Sequence, residues 1–314
     1  MSKRTAVLCG GDGREREVSL RSGKAVCDAL NESGISAELI DLRSLDEIEI
    51  VRNYDAVFIA MHGDWGEGGK LQARLNDMNI PYTGSGPEAS ALAMDKWAAC
   101  KIFRNAGIRI PKGVLLPDDF SDVVSKLGSH IVVKPCSGGS TVGITIIEDA
   151  TPQKLSDAYE LAVESYEGSV MAEEYIAGRE LTCGVWEHNG EVKALPVIEI
   201  VPHHGFYDYS NKYTAGATEY IVQAKIESEV SECISDLAVR AHKLLGCSGY
   251  SRSDFRVTPE GRVYILEVNT APGMTATSLV PKAARAIGVS MSEFVSEIMN
   301  MASCKPHNIL HKDT

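Results

Sequence analysis

Between Tyr250 and Thr270 the chain reads YSRSDFRVTPEGRVYILEVNT, two runs rich in β-branched and aromatic residues around Thr-Pro-Glu-Gly. That pattern predicts a β-hairpin. With Thr258 to Gly261 as the loop, Val257 pairs with Arg262 and Phe255 with Tyr264. Side chains alternate across a strand, so Phe255, Val257, Tyr264, Leu266 and Val268 share an apolar face, and Arg252, Asp254, Glu267 and Asn269 share the other. Two carboxylates and an amide beside a guanidinium make poor core, because unpaired buried charge is costly. They make good ligands for a hard divalent cation such as Mg²⁺ on nucleotide phosphates. A solvated strand face is the competing reading. Val263 and Ile265 interrupt that face in this register, which argues against a simply wet surface, and a slip of one residue would scatter the grouping.

Further segments could do chemistry. The loop Lys134-Pro-Cys-Ser-Gly-Gly-Ser-Thr-Val-Gly-Ile144 follows an apolar strand and offers backbone N–H groups and hydroxyls, as a phosphate cradle would, with Lys134 in reach. It is not a Walker-type loop, and an ordinary glycine-rich turn is its bland alternative. Glu173-Glu174-Tyr175-Ile176 follows a strand and precedes Gly178, where backbone groups could meet a base edge; a solvated strand end competes. Glu180 and Lys96 are unremarkable alone. Gly10 to Leu20 carries Glu15 and Glu17 at the start of a helix, a place for an ammonium rather than a pyrophosphate, with helix capping the alternative for one of the acids. His62 sits in the glycine-rich run Met61 to Gly69. Pro202 to Thr218 is long, aromatic and polar, as a lid would be.

The elements that must position these groups follow from periodicity. Thr5–Cys9, Ala37–Ile40 and Ala56–Met61 read as strands, with a helix over Val18–Leu30, which predicts a parallel sheet with helices on its faces. A single helix is expected from about Glu88 to Asn105. Further strands are expected at Ile131–Val133, Val142–Ile147, Val170–Ala172 and Ala194–Val201, and helices at Leu155–Tyr166 and Ser228–Leu245. Domain cuts fall near residues 95 and 185. The 314 residues suffice for more than one core, and a net charge of −12 argues against a general nucleic-acid or anionic-membrane binder. No stretch reads as a signal peptide or a membrane span. Eight scattered cysteines without a C-x-x-C pair fit reduced thiols in a cytoplasmic protein.

Taken in order, the lysine, the Lys-Pro plus Gly/Ser loop, the acidic strand end, a late acid and the E-x-N strand resemble the ATP-grasp superfamily. G-G-x-x-x-E-R-E-V-S, H-G-x-x-G-E-x-G, Y-T-G-S-G, M-D-K, F-Y-D-Y, K-Y, and N-T-x-P-G-M-T followed by S-L-V-P, between residues 10 and 281, resemble the D-alanine–D-alanine ligases. The resemblance implies an α/β fold: an amino-terminal, Rossmann-like parallel-sheet domain (1–95) followed by a two-part α+β ATP-grasp module (96–185 and 186–314). It implies ATP and two Mg²⁺ ions, with Mn²⁺ an acceptable substitute, two D-alanine molecules, and a homodimer in the cytoplasm making a peptidoglycan precursor. By the same resemblance, Lys96, Lys134 and Lys212 contact phosphates, and Glu173, Tyr175, Ile176 and Glu180 hold adenine and ribose. Asp254, Glu267 and Asn269 bind metal. Glu15 and His62 take the first D-alanine, Arg252 and the Gly273 N–H stabilise the oxyanion, and Ser278 and the Leu279 N–H hold the second D-alanine. Ser140 and Tyr213 bridge to Glu15 and fasten the lid. The loop Cys136–Thr141 departs from the family's common pattern in lacking the charged pair often found before the glycine. A D-lactate or D-serine ligase on the same fold and a non-catalytic binding protein are the alternatives; retention of Lys212, Tyr213, Arg252 and every metal ligand speaks against the second.

Overall fold

The computed structural model describes residues 4–13, 15–117, 119–139, 141–203 and 216–304. Ser140, Lys212 and Tyr213, with most of the expected lid, lie outside the described residues. The first sheet is parallel, as its alternation with helices requires. Strands β1 (Thr5–Gly10), β2 (Ala37–Leu42) and β3 (Ala56–Ile59) lie in the order β2-β1-β3. Helix α1 (Arg16–Glu32) connects β1 to β2. Ser19 ties them together: its hydroxyl accepts from the Gly10 N–H and donates to the Ala60 carbonyl, both at 2.9 Å.

The single helix expected over 88–105 is two, α4 (Pro87–Met94) and α5 (Lys96–Asn105), after the short α2 (Gly63–Glu67) and α3 (Lys70–Asp77). Asp95 leaves the helical region (φ −81°, ψ 94°) and its carboxylate caps the Ala98 N–H at 3.0 Å. The break starts a new helix at Lys96, whose N–H donates to the Cys136 carbonyl at 2.8 Å.

The second sheet is antiparallel in the order β4-β7-β5-β6: β4 (Gly113–Leu116), β5 (Ile131–Pro135), β6 (Thr145–Ile147) and β7 (Val170–Glu174). Its core, with Val133, Leu155 and Ala172, lies under α6 (Phe120–Leu127) and α7 (Pro152–Ser165). The third sheet runs β11-β10-β8-β12-β13, with β9 also on β8. Its strands are β8 (Arg179–His188), β9 (Glu191–Ala194), β10 (Ile198–Pro202), β11 (Thr218–Val222), β12 (Tyr250–Val257) and β13 (Val263–Asn269). Helix α8 (Ser228–Leu244) covers it, with Ile234 and Ala238 packed on Leu181 and Phe255. The carboxy-terminal helices α9 (Leu279–Ala286) and α10 (Met291–Asn300) close a core shared with the first sheet, in which Val26 and Phe58 join Tyr250 and Phe294.

The hairpin's register differs from the expected one. Val257 pairs with Val263 and Phe255 with Ile265, while Asp254 pairs with Glu267 and Arg252 with Asn269. Leu266 is the extra residue of a β-bulge, which reverses the alternation of β13 midway. Val263 and Ile265 are therefore core residues with Phe255 and Val257 rather than interruptions of the polar face. Tyr264 and Leu266 are only partly buried and do not join that core. The four polar residues still share a face, because the bulge restores it.

Candidate active site

Asp254 is the centre of the hairpin face. Arg252 grips its carboxylate through two bonds, Nε to Oδ1 at 2.9 Å and Nη2 to Oδ2 at 2.8 Å. The Thr182 hydroxyl donates to Oδ1 at 2.6 Å, and the Asn269 amide nitrogen donates to Oδ2 at 3.3 Å. With its nitrogen turned to Asp254, Asn269 keeps its amide oxygen as a donor atom for a cation. Glu267 stands opposite Asp254 in the ladder, and the Lys96 ammonium is 3.5 Å from its Oε2. Among the described residues, no three His, Cys, Asp or Glu side chains converge as a metal cage. Two carboxylates and an amide oxygen fit Mg²⁺, which is held by one or two carboxylates and completes its shell with water and phosphate oxygens.

Lys96 on α5 and Lys134 on β5 are both inside, Lys96 against the surface position a helical lysine ordinarily takes. Lys96 is 7% exposed and donates to the Gly138 carbonyl at 2.6 Å, which joins the Gly/Ser loop to the hairpin. Lys134 Nζ donates to Glu173 Oε1 at 2.6 Å, with the residues 5% and 4% exposed. Burial opposes the charge on Lys134, yet the Glu173 carboxylate and the bond to it hold the ammonium's pKa above its ordinary value. Glu173 is thus engaged by Lys134, and Tyr175 stacks on His130 with ring centroids 3.9 Å apart.

A cavity of about 420 Å³ is lined by Glu15, His62, Arg252, Glu267, Gly273 and Ser278, among others. A smaller one, about 40 Å³, is lined by Lys96, Gly138 and Glu267, so Glu267 borders both. Glu15 occupies the N-cap position of α1 but makes no side-chain capping bond, whereas Glu17 sits exposed in the first turn. Gly63 lies beside it at φ +64°, in the left-handed region that favours glycine. At the far wall a Cβ on Gly273 would lie 2.9 Å from Ser278 Oγ, so glycine permits that approach. The Ser278 hydroxyl accepts from the Thr275 N–H at 3.0 Å and precedes α9. Helix geometry leaves the first N–H groups of α9, Leu279's among them, without intrahelical acceptors, a place for a carboxylate.

His62 joins the cavity's two walls. Its Nδ1–H donates to the Ala271 carbonyl at 3.0 Å, so Nε2 accepts from the Ser22 hydroxyl at 2.9 Å, and Ser22 in turn accepts from the Met274 N–H at 3.2 Å. Burial lowers its pKa, the Glu15 charge only partly opposing, and the ring is neutral. Both ring nitrogens are bonded to protein. Glu67 lies within H-G-x-x-G-E-x-G, and nothing in its local sequence signals a role. It lines the cavity, and burial, then the charge of Glu15, pushes its carboxyl well above the usual range. Arg256 was also missed; alternation along β12 places it on the same face as Arg252 and Asp254. Glu173, Tyr175, Ile176 and Glu180 line neither cavity and form a separate group where β7 passes into β8.

Two helix-covered antiparallel sheets following a parallel α/β sheet, with the buried Lys96 set against a carboxylate hairpin, are the architecture of the ATP-grasp class. The family model described as D-ala D-ala ligase C-terminus matches residues 108–300. A D-alanine–D-alanine ligase of Bordetella petrii is 43% identical over 97% of this chain and 94% of its own. Among solved structures, the D-alanine–D-alanine ligase of Bacillus anthracis complexed with ATP is similar at TM-score 0.81 and 32% identity, over 95% of this chain and 96% of that one. The VanG D-Ala:D-Ser ligase of Enterococcus faecalis is similar at TM-score 0.82 and 32% identity, over 96% and 99%. The chain belongs to the D-alanine–D-alanine ligase family.

Proposed function

We propose that this protein joins two D-alanine molecules in an ATP-dependent reaction, releasing ADP and phosphate, to supply peptidoglycan synthesis. The observation that carries the reading is the single cavity holding Glu15, Arg252, Glu267 and Ser278, fed from three separate parts of the chain. The carboxylate of the first D-alanine attacks the γ-phosphorus of ATP and forms an acyl phosphate. The amine of the second attacks that carbonyl, and phosphate leaves. Glu15 takes the first ammonium, with His62 fixing the wall behind it. Arg252 and the Gly273 N–H stabilise the oxyanion, and Ser278 with the Leu279 N–H holds the second carboxylate. Lys96, Lys134 and Lys212 balance phosphate charge. Glu173, Tyr175, Ile176 and Glu180 hold the nucleoside. Ser140 and Tyr213 fasten the lid over Glu15, which keeps water from the acyl phosphate.

Asp254, Glu267 and Asn269 would hold two Mg²⁺ ions, with Mn²⁺ acceptable. Bound there, the metal supplies charge neutralisation for the transferring phosphoryl group. The proposed units run from 1 to 95, from 96 to 185 and from 186 to 314. The cytoplasmic location is the one that the family resemblance implies; among the described residues no helix is long and apolar enough to cross a membrane. The homodimer implied by family resemblance is read by light scattering. The activity is tested with ATP, Mg²⁺ and D-alanine, scoring phosphate and dipeptide, against L-alanine, D-serine and D-lactate as acceptors. No dipeptide by mass spectrometry at saturating substrates would sink the reading, and preferential use of D-serine or D-lactate would reassign the acceptor.

A further inference from the structure

Each of the three guanidinium nitrogens of Arg256 donates to one short stretch of chain. Nε donates to the Ile176 carbonyl at 3.0 Å, Nη2 to the Tyr175 hydroxyl at 2.9 Å, and Nη1 to Glu180 Oε2 at 3.3 Å. The guanidinium also lies 5.3 Å from the centre of the Tyr175 ring, and its side chain is 15% exposed. The stretch it grips is the junction between the second and third sheets: β7 ends at Glu174 and β8 begins at Arg179. From the second sheet the junction is held at Tyr175, whose N–H donates to the His130 carbonyl at 2.9 Å and whose ring stacks on His130. Arg256 holds it from the third sheet. Gly178, at φ +138°, lies so close to the Val257 carbonyl that a Cβ would overlap it, which seats the junction on the end of β12.

We infer that Arg256 is a positioning residue for the nucleotide: it fixes the conformation of the Tyr175–Glu180 junction so that its backbone and Glu180 meet adenine and ribose. The inference rests on the proposed nucleoside role of that junction. The same strand face then serves both ends of ATP, through Asp254 at the phosphates and Arg256 at the nucleoside, two residues apart on β12. A planar fork of donors suits this task, because three acceptors on one segment are held in a single rigid array. A structural bolt of this kind acts on binding in ground and transition states alike, so it shows in KM for ATP and not in turnover.

The test compares the full-length wild type with Arg256→Met, which keeps the apolar stem and removes every donor. The expected result is a KM for ATP raised about tenfold, with kcat at saturating ATP and both D-alanine constants within about twofold of wild type. Arg256→Lys, which keeps charge without the fork, is expected to raise KM for ATP about threefold. A folded Arg256→Met protein with wild-type KM for ATP overturns the inference. If the methionine variant does not fold, an unchanged KM for ATP in Arg256→Lys overturns it. A wild type that releases no D-alanine-dependent phosphate would instead defeat the ligase reading, so the two failures are told apart.

Discussion

The proposed amino-acid end and the proposed nucleotide end of this site are built on opposite plans. At the amino-acid end, charged groups from the start of α1, α2, β12 and β13, with neutral residues before α9, surround about 420 Å³ of space. At the nucleotide end the charges meet each other: Lys134 bonds Glu173, Lys96 reaches Gly138 and Glu267, and Arg256 grips the junction at Tyr175, Ile176 and Glu180. The first plan suits two small zwitterions that must enter, react and leave as one product. The second suits a large ligand whose binding surface is assembled beforehand, so little ordering remains to be done when it arrives. Glu267 belongs to both plans, since it borders the two cavities.

The sharpest way to break the comparison is therefore at Glu267. Glu267→Ala is expected to abolish turnover while circular dichroism stays that of the wild type, and each ~1.4 kcal/mol lost in the transition state is about tenfold in rate. Near-normal activity would show the hairpin face to be merely solvated. Arg252→Lys keeps the charge at the cavity but loses the two-pronged grip on Asp254, and turnover should fall roughly 10²-fold. Unaltered kinetics would remove Arg252 from the reacting centre.

Glu173→Gln probes the prefilled end by leaving a buried ammonium without its counter-charge. A loss of roughly 3–5 kcal/mol in urea unfolding is expected. A loss no larger than that of an exposed ion pair would mean that water reaches Lys134. The smallest expected effect belongs to Glu67. Its folded carboxyl has a raised pKa, so the folded state holds a proton that the unfolded chain gives up above the ordinary carboxylate range. Wild-type stability should fall as pH rises from about 4.5 toward neutrality, relative to Glu67→Gln, which cannot ionise. Parallel melting curves for the two proteins across that range would place Glu67 in contact with bulk water, and the amino-acid end would then be more open than its walls indicate.

Both ends could be read in part from residue order alone, for different reasons. The hairpin was found because two strands joined by a tight turn carry their chemistry at short range, where alternation is informative. Even there the expected pairing was displaced by one residue beyond the turn, and Val263 and Ile265 were assigned to the polar face although they lie in the core. Packing chose the bulge at Leu266, because only that choice buries Val263, Ile265 and Val268 together while Glu267 and Asn269 stay beside Asp254. The central strand β8 has a weak local signal: Arg179, Glu180 and Gly184 dilute its β character, and its burial comes from β10 and β12 on either side.

What the amino-acid order by itself determined is the set of elements and their contents: the parallel first sheet, the hairpin with its four polar residues, the glycine-rich loop after β5, and the run of motifs that marks the family. Those depend on periodicity and turn chemistry, which act between near neighbours. Tertiary structure decided how far-apart residues were used. It buried Lys96 by breaking a helix at Asp95, joined Lys134 to Glu173 across 39 residues, and spent both nitrogens of His62 on Ser22 and Ala271. It turned Arg256 from an ordinary strand arginine into the clasp of the β7–β8 junction. A charged side chain carries no local signal of whether it will face water or a partner. That depends on which distant segment desolvates it, and only the assembled fold supplies the segment.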